Sequence, residues 1–424
     1  MKFGRLTFFL FIFVGLLQFP NQEPYALARA NRTRSSISGI QHEEHILYYV
    51  GPVGKLTSFE YNGARVRNES FVDAGISGSD SAAILTMEAL AKSPIFSKTS
   101  RFYLQASQAM EGTQFKGVTY LKSLTSNISK DITTVIAPDY LAFAEDFFEQ
   151  FTLLRRFVLV GHTYKIEPTY SVLRALRERG IALHFVHLNE WSKNYTLANT
   201  DSETFSLFFS HHIIHNPVFW DVLKTQFDSI ERSDWIFHAA YERGGLLSRQ
   251  VFCKLSLPAS FRVLDYHFGK SYVADGCLGV ENVGSLSKPA LYSMLSRSKY
   301  FVYLLVLPDS GQVHKDMFPT CVLEAIFLGV RVVTLPVGPL VLLFTGLVDF
   351  VPIEDSALAA RFLDYNFNSF EPMLLSSSFV DYVANFVLGL DSQDFTSERM
   401  RRIERAREIY NENMFSNSWA NLFK

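Results

Sequence analysis

The sequence predicts an α/β fold of two halves, each a parallel sheet flanked by helices, with a helical segment closing the chain. Three observations lead there. From His45 onward, short apolar runs alternate with helix-length patterns. The runs are apolar at successive positions, as strands covered on both faces are. The alternation pauses near His215-Asn216-Pro217 and then restarts, which reads as a hinge between two units of comparable size.

In chain order, strands are expected at 46–50, 100–104, 133–137, 157–160, 183–187 and 206–210, then at 235–239, 262–266, 300–306 and 330–335. Helices are expected at 81–90, 170–179, 248–255, 288–296 and 320–328. A last helix, 396–414, carries one apolar stripe, Met400, Ile403, Ala406 and Tyr410, on an otherwise charged surface. The chain divides accordingly into a targeting segment and stem (1–41), a first α/β unit (42–215), a second (216–385) and a helical tail (386–424). At 424 residues with 48% hydrophobic content, each unit can fill a core of its own.

Lys2 and Arg5 precede an apolar run, 6–19, that Pro20 ends, and Ala26-Leu27-Ala28 downstream resembles a cleavage site. The run is shorter than the roughly 20 apolar residues of a comfortable span. It reads as a signal peptide or as a short anchor giving membrane attachment, with a buried core helix as a third reading. In the first two the folded part is translocated, which places it in the secretory pathway, in the Golgi or ER lumen. Asn-x-Ser/Thr triplets at Asn31, Asn68, Asn127 and Asn194 agree with that compartment. Three cysteines, Cys253, Cys277 and Cys321, allow one bridge at most plus a free thiol. A net charge of −2 and a pI near 6.6 leave no basic footprint, so no nucleic acid partner is expected.

Four constellations could carry chemistry. Gly75-Ile76-Ser77-Gly78-Ser79-Asp80-Ser81 opens a helix, where small residues and unsatisfied amides suit a phosphate or a sugar oxygen; a capped turn has the same pattern. Trp235 to Gly245 reads as a strand, the pair Glu242-Arg243 and two glycines opening a helix. Arg243 at the carboxyl end of a parallel strand is placed for a diphosphate, although a salt bridge with Glu242 would also explain it. Asp316-Met317-Phe318-Pro319-Thr320 leads into a helix that carries Glu324, so two carboxylates eight positions apart straddle a loop-to-helix transition. Ala325, Ile326 and Leu328 surround Glu324, and a charge in apolar company needs a partner. Finally, His162 directly follows the run 157–160, at the sheet edge where α/β ligands bind; His187 is a similar candidate. His211-His212-x2-His215 is a weak metal pattern beside a helical His-Glu-x2-His, and no metal site is expected.

These pieces together resemble a GT-B glycosyltransferase of the retaining family-four class (glycosyl transferases group 1), the sucrose-synthase and glycogen-synthase-like enzymes. Asp316-x7-Glu324 is similar to the Glu-x7-Glu signature of that class, with Phe318, Glu324-Ala325 and Gly329 to Val333 matching its texture. The loop 75–80 is similar to its Gly-Gly-x-Glu loop, and Tyr241 to Gly245 occupies the place of its phosphate-binding segment. The resemblance covers roughly 45–385. It implies two Rossmann-like domains facing across a cleft, the first binding a glycan, lipid or protein-linked acceptor and the second a UDP- or GDP-linked sugar. By the match, Asp316 and His162 are the catalytic residues, Asp316 near the reacting carbon and His162 reaching the sugar. Glu324 would hold the ribose. Arg243 and Gly244 would hold the diphosphate with amides around Phe318 and Thr320, and Gly78 and Ser79 would belong to the first loop. No cofactor or metal is implied, because cationic side chains and helix ends can meet the diphosphate charge.

The chain departs from the pattern at several positions. Asp316 is one methylene shorter than the usual Glu, Pro319 stands where Gly is usual, and Ser77 and Asp80 replace Gly and Glu. The usual Arg and Lys pair is represented by Arg243, with Lys254 or Lys288 as weaker seconds. Those departures keep open a catalytically degenerate GT-B protein that binds nucleotide or glycan without turnover. A nucleotide-sugar epimerase is a third reading.

Overall fold

A computed structural model describes residues 43–50, 78–105, 112, 114–163, 166–218, 220–223, 232, 234–238, 244–255, 261–264, 280–282, 288–306, 316–363, 374 and 376–424. Two sheets organise them. The first contains β1 (His45–Tyr49), β2 (Arg101–Gln105), β3 (Gln114–Phe115), β4 (Val118–Leu121), β5 (Thr134–Pro138), β6 (Arg156–Gly161), β7 (Ala182–His187) and β8 (Ser210–Ile213). Their order is β3-β4-β2-β1-β5-β6-β7-β8, parallel throughout except for the short β3–β4 pair. Every residue of β5 is buried, which is why its sequence shows no polar alternation. Successive residues serve opposite layers. Ile46, Tyr48, Ile136 and Val158 enter one core, whereas Leu47, Val135, Phe157 and Leu159 enter another. Phe143, Phe148 and Phe157 pack as a ring cluster in the second, with centroids 5.1–5.8 Å apart.

The second sheet contains β9 (Asp234–His238), β10 (Phe261–Leu264), β11 (Val280–Asn282), β12 (Ser298–Tyr303), β13 (Arg331–Thr334) and β14 (Asp349–Phe350). Its order is β11-β10-β9-β12-β13-β14, all parallel. In both sheets the order of the parallel strands reverses once, between β1 and β5 and between β9 and β12. Crevices outside the carboxyl ends of strands at such switch points are where open α/β sheets bind ligands.

Two expectations need correction. Residues 206–210 are not a strand: Ser202–Ser206 is helical, started by the Asp201 carboxylate accepting from the Thr204 amide at 2.7 Å, and the strand is β8, four residues later. Nor is 396–414 one helix. Thr396–Ile409 ends at Tyr410, and Asn411 caps a second helix, Glu412–Leu422, by accepting from the Met414 amide at 2.9 Å. That second helix packs on Gly78–Lys92 of the first sheet's layer, and the Phe423 ring beyond it meets Phe96 and the Arg156 guanidinium. The structure adds helices at Glu190–Asn199, Gly338–Phe344 and Ser377–Asp391. Among the described residues no helix is long and apolar enough to cross a membrane; the run 6–19 lies outside them. Cys253 is disulfide-bonded, Cys321 takes no part in a disulfide, and Cys277 lies outside the described residues.

β8 is polar in sequence because histidines on β7 complement it. His184 pairs in register with Ser210, whose hydroxyl lies 2.7 Å from both His184 Nδ1 and His212 Nε2. On the opposite face His187 Nε2 lies 3.1 Å from His211 Nδ1. Burial lowers all four pKa values, to about 4 for His184 and about 3 for His187, with the His211 charge adding to the latter. An unfolded histidine titrates near 6.5. The neutral edge therefore stabilises the fold above about pH 6.5, and that stability is lost as the pH falls towards 4. Denaturant midpoints measured from pH 7 to pH 4.5 are expected to fall steadily, and less so in His187→Phe. Equal slopes in the two proteins would refute the assignment.

Candidate active site

The opening turn of the second sheet's site is built around Asp316. Tyr303, the last residue of β12, donates its hydroxyl to Asp316 Oδ2 at 2.8 Å, and the Phe318 amide donates to Asp316 Oδ1 at 3.3 Å. One carboxylate thus ties its own loop to the end of a buried strand. Pro319 follows with φ −72° and no side chain capping the helix Thr320–Phe327; its carbonyl accepts from the Val322 amide at 3.1 Å. Thr320 is buried in the first turn. One turn on, Glu324 is only 1% exposed, and its Oε1 accepts the Tyr292 hydroxyl at 2.7 Å from the helix Lys288–Ser296. The partner demanded by its apolar neighbours is that phenol. Each of the two acids is therefore aimed by a tyrosine from a different element.

Beside this loop lies the switch point of the second sheet. Gly244, on the exit from β9, has φ +82°, and a Cβ there would fall 2.7 Å from the Leu305 amide nitrogen beyond β12. Leu305 is itself left-handed at φ 58°, although it is not a glycine. The two exit turns touch backbone to backbone. Gly244 is thus required by close approach within the protein, whatever ligand it also meets. Its carbonyl accepts the Ser248 amide at 2.8 Å and starts the helix Gly245–Leu255. Arg243 lies outside the described residues, as do 75–77 of the first loop; Gly78 and Ser79 form the first turn of Gly78–Lys92.

On the first sheet, His162 directly follows β6 and is half-buried, and burial lowers its pKa to about 4, so the ring is neutral at pH 7. The Tyr48 hydroxyl lies 3.5 Å from its Nε2. Its backbone is held by a residue outside the four sequence constellations. Asp139, 2% exposed just beyond β5, accepts the His162 amide at 3.0 Å and the Thr163 amide at 3.0 and 3.1 Å. Burial raises its pKa to about 7 against the lowering effect of those amides. The available signal was positional: an acid ending a run buried at every position, at the β1–β5 switch point.

The other histidines singled out in the sequence pack against neighbours. His187 is 1% exposed and stacks on Phe185 at 4.3 Å. His211 and His212 lie on opposite faces of β8, and His215 donates Nδ1–H to the Leu188 carbonyl at 2.7 Å while its ring stacks on Phe318 at 5.5 Å. Among the described residues, no group of three or more His, Cys, Asp or Glu could hold a metal ion. Asp316, Phe318 and Thr320 share one turn; His162 and Asp139 stand on the other sheet.

No protein-family model matches the chain, and no protein of curated function matches it in sequence. Solved structures do resemble it. The catalytic domain of starch synthase IV from Arabidopsis thaliana, bound to ADP and acarbose, is similar at a TM-score of 0.51 and 10% identity, over 90% of this chain and 99% of that one. A glycosyltransferase involved in avilamycin A biosynthesis follows at 0.46 and 12% identity, over 86% of this chain and 97% of that one. The calicheamicin glycosyltransferase stands at 0.41 and 10%, over 90% of this chain and 96% of that one. With the two parallel sheets and their helices, the first likeness gives the fold as GT-B.

Proposed function

We propose that the chain is a retaining glycosyltransferase moving a hexose from a nucleotide-diphosphate sugar to a glycan, lipid or protein-linked acceptor. The observation that carries the reading is the pair Asp316 and Glu324. Both flank one loop-to-helix turn at the carboxyl end of β12, and each is oriented by a tyrosine hydroxyl within a GT-B fold. In this reading the second sheet takes the donor and the first the acceptor. Glu324 accepts from the ribose hydroxyls, and Asp316 faces the transferred sugar. Arg243 and the uncapped amino end of Thr320–Phe327 meet the charge that develops on the leaving diphosphate, the largest contribution in such chemistry. Neutral His162, set by Asp139, reaches the sugar from the first sheet with one ring nitrogen as donor.

A lumenal location fits this reading. The disulfide at Cys253 suits an oxidising compartment, and the sequon residues Asn127 and Asn194 are exposed. Nucleotide release from a panel of UDP- and GDP-sugars tests the function. Glu324→Gln and Arg243→Ala are each expected to cut turnover by about 10²–10³-fold. Wild-type rates in both would reject the site.

The second reading, a degenerate GT-B protein that binds nucleotide or glycan, is favoured by one observation. Asp316, already shortened, accepts from Tyr303 and from the Phe318 amide within its own fold. Thermal stabilisation by UDP or GDP with no donor consumed would select it.

A further inference from the structure

Just beyond β7, Asn189 and Trp191 meet the second sheet's layer, Asn189 at the Asp316 loop itself. Asn189, 1% exposed, donates its Nδ2–H to the Met317 carbonyl at 2.6 Å, across 128 positions of sequence. Its Oδ1 accepts the Ser192 amide at 2.7 Å, and its own amide donates to Ser192 Oγ at 3.1 Å, so the same side chain caps the helix Glu190–Asn199. Leu188, one position earlier, accepts from His215, whose ring stacks on Phe318. Trp191, two positions later, covers Gly338 so closely that a Cβ there would lie 2.4 Å from the indole Nε1.

Two side chains of one short segment, Asn189 and Trp191, thus meet the second sheet's layer directly, and Leu188 is linked to Phe318 through His215. A cap needs only the Asn189 oxygen; the amide nitrogen is spent on Met317. Aspartate, serine or threonine would cap the helix as well, but aspartate would turn a carboxylate towards the Met317 carbonyl and serine would fall short of it.

We propose that Asn189 is a positioning residue that latches the Asp316–Thr320 loop to the first sheet, so that the sugar-facing carboxylate is in place only while this contact is made. The proposal rests on the glycosyltransferase reading for its catalytic consequence, but not for the latch itself. Misplacing a reacting group by about 1 Å costs on the order of 10²-fold in rate. The ribose contact at Glu324, one turn further into the helix, does not depend on the latch, whereas the amides around Phe318 and Thr320 that face the diphosphate do.

The test uses the full chain with Asn189→Ser, which keeps a capping oxygen, and Asn189→Asp, which keeps the shape of the side chain. Amide hydrogen exchange of 316–322 is measured beside kcat and the affinity for UDP or GDP. The expected result is faster exchange confined to 316–322, kcat lower by on the order of 10–100-fold, and a smaller loss of nucleotide affinity than of kcat. Unchanged exchange in a folded Asn189→Ser protein would overturn the latch. So would faster exchange spread over all peptides with kcat and nucleotide affinity falling equally, which marks a purely structural cap. Should one variant not fold, Gly338→Ala, which forces Trp191 off its seat, gives the same exchange readout from the opposite side. Faster exchange in 316–322 with no sugar consumed by the wild-type protein would retain the latch and reject the enzymatic reading instead.

Discussion

Replacing Asp349 with alanine is expected to destabilise the protein by about 3–5 kcal/mol, the usual cost of stranding buried charge. Asp349 in β14 accepts from Arg331 Nε at 3.0 Å and from Arg402 Nη1 and Nη2 at 2.9 and 3.0 Å. Both guanidinium groups are buried, and both flank the Phe395 ring, at 4.8 and 5.0 Å. Arg331 has the Leu390 carbonyl and Gln393 as further acceptors, and Arg402 has Glu398. Those contacts do not replace the carboxylate, since two positive charges would then share one desolvated site. At roughly 2–4 °C per kcal/mol for a large domain, the thermal midpoint should drop by about 10 °C. The pairing makes a sharper claim. Asp349→Ala combined with Arg402→Met should be less damaging than Asp349→Ala alone, because the stranded charge goes with it. Additive losses measured by denaturant unfolding would show that the network is not coupled.

Gly244→Ala should be the most damaging small change at the site. The new methyl would lie 2.7 Å from the Leu305 nitrogen and 3.1 Å from the Leu304 carbonyl carbon, and backbone atoms cannot rotate aside. Left-handed geometry costs a non-glycine residue about 1–2 kcal/mol. Overpacking against a rigid neighbour adds about 1–3 kcal/mol. Gly346 supplies the control, because its φ is +79° with nothing within 4 Å of its would-be Cβ. Gly346→Ala should show the conformational cost only. The excess loss in Gly244→Ala measures the contact between the two exit turns. In the proposed enzyme it should come with a higher KM for the donor, since Tyr303, which aims Asp316, lies two residues before Leu305. Equal losses at the two glycines would refute the close approach.

Much of this architecture is legible in the sequence because a buried parallel strand is apolar at every position. The runs 135–138 and 157–160 show it, and the expected bounds of both strands agree with the structure to within a residue. β8 escaped the same reading. Ser210, His211 and His212 look like a polar loop until His184 and His187 on β7 supply their partners. At the site the division is similar. Asp316 and Glu324 stand out by their spacing around a loop-to-helix turn, and Glu324 stands out further by its apolar neighbours. Tyr303 and Tyr292, which orient them, carry no local mark.

By itself the sequence determined the alternation of strands and helices, the pause near His215 and the two carboxylates worth attention, because hydropathy and helix periodicity are properties of neighbouring residues. Only the tertiary structure decided that Asp139 holds the amides around His162, that Gly244 lies against Leu305, and that Asn189 reaches Met317. A buried polar group must find a partner somewhere. Where it finds one depends on which strand ends and loops the fold brings together, and residues 128 positions apart leave no trace of that meeting in either local pattern.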